Sequence, residues 1–125
     1  MAEPRSRQTV TPYSWGSGGR GWRLCDRQEM QVVEEVLAAG TAEERHYHRN
    51  ATQVYYILSG CLRVEMDDET HQLSSGEAVE ITPGTRHLIA NDTGVPASLL
   101  VISSPSTRND RVKAEPDQGG CRGKV

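Results

Sequence analysis

Turn-forming residues break this chain at Gly40 and then at Gly60, Asp67, Gly76, Gly84 and Gly94, the last five about seven to ten positions apart, close to the spacing of short strands in a sandwich or barrel. Between the breaks the side chains alternate apolar and polar and do not repeat every three or four residues. Leu62, Val64 and Met66 take one parity and Cys61, Arg63 and Glu65 the other, the pattern of a half-buried strand. Gln53 opens the apolar run VYYIL, and residues 70–73, 77–81 and 87–91 read as further strands. Residues 97–103 contain SLLVIS, a run suited to burial on both faces. Residues 30–37, MQVVEEVL, are the one place where a helix competes, since Glu34, Glu35 and Leu37 are good helix formers. β-branched content and the nearness of Gly40 decide for a strand. The expectation is an all-β chain, and without an internal repeat it forms one barrel.

The ends carry different signals. Residues 1–21 contain Pro4, Pro12 and the cluster WGSGGRG, which no helix crosses, and read as an N-terminal arm. Residues 22–111 hold the barrel. Residues 112–125 are almost devoid of apolar side chains and read as a polar, disordered tail. A net charge of -3 with scattered Lys and Arg gives no basic face for nucleic acid. No apolar run approaches a membrane span and the first residues lack a signal-peptide core, so a soluble cytoplasmic protein is expected. Cys25, Cys61 and Cys121 stand far apart and in no CxxC pair, which points to reduced thiols with no disulfide framework or zinc ribbon.

The chemistry centres on residues 40–60. His46 and His48 are two apart, so on a strand both imidazoles leave the same face, whereas on a helix they diverge by about 200°. That spacing suits a metal chelate. The third donor is His87, just after the turn at Pro83 and Gly84. His71, in a short strand after an acidic turn, reads as a solvated edge residue. Neutral imidazole suits zinc, iron, manganese or nickel, and an oxygen donor completes many such sites. Gln53 offers one.

Two glycine-framed motifs make the chain resemble the cupins, small double-sheet β-barrels of jelly-roll type. Gly40, His46, His48, Gln53 and Gly60 fall on the spacing of the first cupin motif. Gly76, Thr82, Pro83, Gly84, His87 and Asn91 fill the second, with Thr82 where the family usually has proline. The resemblance implies a jelly-roll barrel with one divalent transition metal, a small-molecule ligand or substrate, and a homodimer. It departs at Gln53, where the family usually has glutamate. Glutamine keeps a carbonyl oxygen but removes a negative charge, leaving the ion a stronger Lewis acid and weakening its retention. Two arrangements are open: Gln53 ligates beside His46, His48 and His87, or the histidines hold the ion and Gln53 hydrogen-bonds a bound water or substrate. Ligation is the reading adopted, since oxygen donors are common in open sites.

Alternation places Tyr55 on the face of Gln53 and Ile57, so it points inward as a substrate contact or proton donor, or else as a core tyrosine with its hydroxyl at the rim. Leu62, Val64 and Met66 are expected to line a largely apolar cavity; alternation would send one of Glu34 and Glu35 inward, but a charge run on a solvated face is the reading adopted for the pair. The resemblance implies dioxygenation, isomerisation, lyase chemistry or cyclisation; a non-catalytic small-molecule or metal sensor is the alternative.

Overall fold

The computed structural model describes residues 3–114, and every regular element among them is a strand. In chain order these are β1 (Tyr13–Trp15), β2 (Gly19–Asp26), β3 (Gln31–Leu37), β4 (His46–His48), β5 (Thr52–Ser59), β6 (Cys61–Met66), β7 (Glu69–Ser74), β8 (Ala78–Ile81), β9 (His87–Ala90), β10 (Ala97–Ser104) and β11 (Arg111–Lys113). They form two antiparallel sheets, one in the order β1-β2-β3-β10-β5-β8 and the other β11-β4-β9-β6-β7. Each strand expected after Gly40 is present, its ends shifted by a residue or two.

The core is apolar side chains of one parity from both sheets. Leu37, Ile57, Ile81 and Leu99 of the first meet Leu62, Val64, Leu73 and Ile89 of the second. Each such side chain, fully withdrawn from water, contributes about 1.5–3 kcal/mol. Between β5 and β6 the chain changes sheets with only Gly60 to turn on. Its φ of 82° lies in the left-handed region, and a Cβ there would sit 2.8 Å from the Cβ of Ala97, so the corner needs glycine for both conformation and space.

The expected boundaries move at both ends. Residues 13–21, assigned to the arm, contain β1 and the start of β2, which form a hairpin at the edge of the six-stranded sheet. The glycines are what allow it. Gly19 lies under the Trp15 ring and Gly21 under Tyr13, where a Cβ would come within 2.2 and 2.4 Å of ring atoms. The segment before the hairpin crosses the outer face, where the Arg7 guanidinium stacks 4.6 Å from the centre of the Trp22 ring. At the other end β11 continues past residue 111, and Ala114 is buried. The remainder of the expected tail, and Cys121, lie outside the described residues. Neither Cys25 nor Cys61 is in a disulfide among the described residues. No helix among them is long and apolar enough to cross a membrane.

Candidate metal centre

Strand parity brings the three motif histidines together. His46 and His48 point inward from β4, and β9 pairs with β4 so that His87 stands directly opposite His46. All three are buried, and one ring nitrogen from each lies within 4.8 Å of the others. The ring centres of His46 and His87 are 4.3 Å apart. Gln53 comes from the other sheet, on β5, buried and opposite Ser103 of β10. His71 is exposed beside Glu69, as expected of an edge residue.

Backbone carbonyls set the tautomers. Nδ1 of His46 is 2.8 Å from the carbonyl oxygen of Glu44, and Nδ1 of His87 is 2.8 Å from that of Thr85. A carbonyl only accepts, so each Nδ1 carries the proton and each Nε2 keeps its lone pair. Gln53 Nε2 donates to Ser103 Oγ at 3.0 Å, an arrangement that leaves Oε1 without a partner. Gln53 Oε1, His87 Nε2 and His48 Nδ1 are buried without a hydrogen-bond partner. Buried polar atoms are rarely left so, and a cation is what the lone pair on His87 Nε2 and an amide oxygen beside three converging imidazoles would satisfy. These residues fit a divalent transition ion.

Two backbone ties hold the donors in place. The amide of Gly84 donates to the carbonyl of His48 at 2.8 Å, joining the turn of the second motif to the strand of the first. The carboxylate of Asp110 accepts hydrogen bonds from the backbone amides of Arg49, Asn50 and Ala51 and from the Asn50 side chain, at 2.9–3.1 Å. It thereby orders the turn between His48 and Gln53.

The centre opens into a cavity of about 540 Å³ whose lining includes Tyr13, Glu35, Glu43, His46, Gln53 and Tyr55. Its walls are mixed, these polar groups standing beside Trp15, Val33 and Val101, and the residues expected to line it lie elsewhere. Leu62 and Val64 are in the core and Met66 packs against it; none of the three lines the cavity. Glu35 is not on a solvated face, because its parity matches Val33 and Leu37, both buried; Glu34, of opposite parity, pairs with Arg7 outside. Tyr13 Oη donates to Glu35 at 3.0 Å, and Tyr55 Oη to Glu43 at a longer 3.4 Å. Tyr55 thus points inward as parity requires, with its hydroxyl at the cavity. Glu43 was not foreseen. It lies in the stretch before β4, which runs along β9 through an Ala42–Ala90 bridge and a hydrogen bond from the Glu43 amide to the Ile89 carbonyl.

Burial dominates the protonation of these groups. It lowers His46 to about 3 and His48 to about 4, reinforced by the neighbouring imidazole of His87, and lowers His87 as well. It raises Glu35 to about 7 and Glu43 to about 8, the latter also through the charge of Glu35. Imidazoles of the unfolded chain take up protons below about pH 6.5 while the folded ones do not, so stability falls as pH drops through that range. Carboxyls of the unfolded chain ionise above about pH 4.5 while Glu35 and Glu43 stay protonated, so stability also falls as pH rises toward 8. The metal-free protein is therefore expected to be most stable near about pH 6, with thermal midpoints declining on both sides. A midpoint that rises steadily from pH 6 to 8 would contradict the buried carboxyls.

Residues 33–103, more than half of the chain, match the family described as cupin domain. The chain belongs to that family. Among curated relatives of this cupin, the uncharacterized protein MJ1618 of Methanocaldococcus jannaschii is 30% identical over 77 residues, 62% of each chain. Tetracenomycin polyketide synthase protein TcmJ of Streptomyces glaucescens is 36% identical over 69 residues, 55% of this chain and 46% of that protein. The match spans less than two thirds of either relative's length. Among solved structures, the polyketide cyclase RemF of Streptomyces resistomycificus superposes with a TM-score of 0.81 over 94% of this chain and 89% of its own, at 18% identity, a likeness of fold. TT1209 of Thermus thermophilus gives 0.73 over 83% and 98%, at 26% identity.

Proposed function

We propose that this cupin is a metal-dependent enzyme that binds one divalent ion through His46, His48, His87 and Gln53 and moves a proton on a small, ketone-bearing, polyoxygenated molecule, as isomerisation or intramolecular cyclisation requires. The observation that carries the reading is the Glu43 carboxyl, bonded by Tyr55 and opening to the same cavity as the histidines and Gln53. The partial identity to a protein named for a polyketide synthase, and the fold shared with a polyketide cyclase, support the substrate class.

A divalent ion held by three neutral imidazoles and a neutral amide supplies Lewis acidity toward a carbonyl oxygen, undiminished by any anionic ligand. The rest falls to the chain's own side chains. Glu43, with a pKa raised to about 8, takes up or gives a proton near neutral pH at little cost in either direction. The Tyr55 hydroxyl donates to its Oε1 and steadies the ionised form, leaving the other carboxyl oxygen for the substrate. Zinc as the native ion agrees with this acid–base role; a redox metal would turn the reading toward oxygen chemistry.

Protein purified without added metal is expected to carry about one divalent ion per chain; failure to take up any ion under loading would sink the proposal. The zinc-loaded protein is expected to speed exchange of the methyl-ketone protons of 2-hydroxyacetophenone in D2O, followed by proton NMR. Glu43→Gln should slow that exchange by about 10²–10⁴-fold at unchanged metal content, the usual contribution of a positioned acid–base group. Equal rates in the two proteins would remove Glu43 from the role.

A further inference from the structure

Two arginines line the cavity, Arg23 on β2 and Arg111 on β11. Arg111 is the cross-strand partner of His48, so its side chain leaves the sheet on the same face as that imidazole. Among the described residues Arg5, Arg20, Arg23, Arg49, Arg86 and Arg111 have no carboxylate within ion-pair distance, and of these Arg23 and Arg111 line the cavity. The shortage is not one of carboxyls nearby. Glu35, Glu43 and Glu44 line the same cavity, but Glu35 is taken by Tyr13, Glu43 by Tyr55 and Glu44 by Lys113. Arg23 is held over the Tyr13 ring, 4.1 Å from its centre.

We propose that Arg111, aided by Arg23, anchors an anionic group of the molecule that binds at the metal centre, so that the ligand class is an oxo or phenolic acid carrying a carboxylate as well as an oxygen donor. The assignment rests on the reading of the cavity as a substrate site and adds an anionic group to the polyoxygenated class proposed for it. A guanidinium with no carboxylate partner among the described residues presents a planar fork of N–H donors, the geometry that carboxylates match with two parallel bonds. The centre behind it adds to the preference. With Gln53 in place of an acidic ligand, the residues that would hold the ion contribute no negative charge to cancel either the ion or the arginine.

Salicylate and 2-hydroxyacetophenone test this, since they share a phenol and a carbonyl on the same ring and differ in carboxylate against acetyl. In calorimetric titrations of the zinc-loaded protein, salicylate should bind more tightly than the ketone. Arg111→Gln should weaken salicylate by about tenfold or more while leaving the ketone within about twofold, the size of a lost charge-assisted hydrogen bond. Arg111→Lys should recover part of the loss. The side chain is exposed at the cavity, so folding is not at stake, and circular dichroism with zinc content verifies both variants. Equal affinity for the two probes, no binding of salicylate, or an Arg111→Gln protein that binds it as well as the parent would overturn the assignment. The two proposals fail separately: a protein that takes up no metal but still loses salicylate with Arg111→Gln keeps the anion site and loses the metal reading.

Discussion

Replacing His87 with alanine is expected to abolish stable metal binding while leaving the barrel folded. His87 is fully buried, stands opposite His46, and has its Nδ1 proton committed to the Thr85 carbonyl, so its free Nε2 has no partner within the protein. Losing an outer-shell partner typically costs 10–100-fold in metal affinity, and a direct donor should cost more than about 100-fold. The fold itself draws on the apolar clusters around Leu62, Val64 and Ile89, which the substitution leaves intact. Two measurements separate ligation from mere filling of the barrel. Elemental analysis after dialysis should find an ion in the parent and almost none in His87→Ala. Added zinc should raise the thermal midpoint of the parent, as any ligand of the folded state does, and leave that of the variant unmoved. Full occupancy in His87→Ala would contradict the assignment.

The part of this centre that was legible in the sequence is the part that strands and tight turns write locally. His46 and His48 share a face because a strand has period two, and Gly60 and Gly84 mark turns because their backbones need positive φ. The same parity carried Tyr55 inward with Gln53. What stayed hidden depends on contacts between distant segments. Glu35 sits in a run with valine at both 32 and 33, so alternation alone left two phases open; Leu37, buried at the end of the same strand, carries the signal that chooses between them. Glu43 lies outside any strand, and only its pairing along β9 puts it at the cavity.

The ends misled for a related reason. A glycine-rich stretch ordinarily reads as loop, yet here Gly19 and Gly21 make room for two aromatic rings stacked across a hairpin, and Tyr13 thereby reaches Glu35. Residues near 110 look like the start of a polar tail because their charged side chains serve the site and not the core. Arg111 faces the cavity and Asp110 faces a turn. Polarity in this segment does not mean solvation, since the Asp110 carboxylate binds the approach to β11 to the turn of the first motif.

Asp110→Ala should accordingly be the most destabilising single change near the site. Asp110 is 3% exposed, and its carboxylate accepts from three consecutive backbone amides, Arg49, Asn50 and Ala51, and from the Asn50 side chain. The Arg49 amide keeps the Asp110 backbone carbonyl at 3.2 Å, but the amide of Ala51, which is buried, gains no substitute when the carboxylate is removed. Leaving a buried donor unsatisfied typically costs about 1–3 kcal/mol, and urea unfolding of the metal-free protein should register a loss of that order. Because the turn spans from His48 to the strand that carries Gln53, zinc competition titrations should weaken in parallel. Asp110→Asn distinguishes a mere filler from an acceptor. It preserves volume and one oxygen but turns an N–H₂ toward donors, so it should recover only part of the stability. A loss below about 1 kcal/mol in Asp110→Ala, the worth of one ordinary hydrogen bond, would mean that the turn is held by its backbone alone.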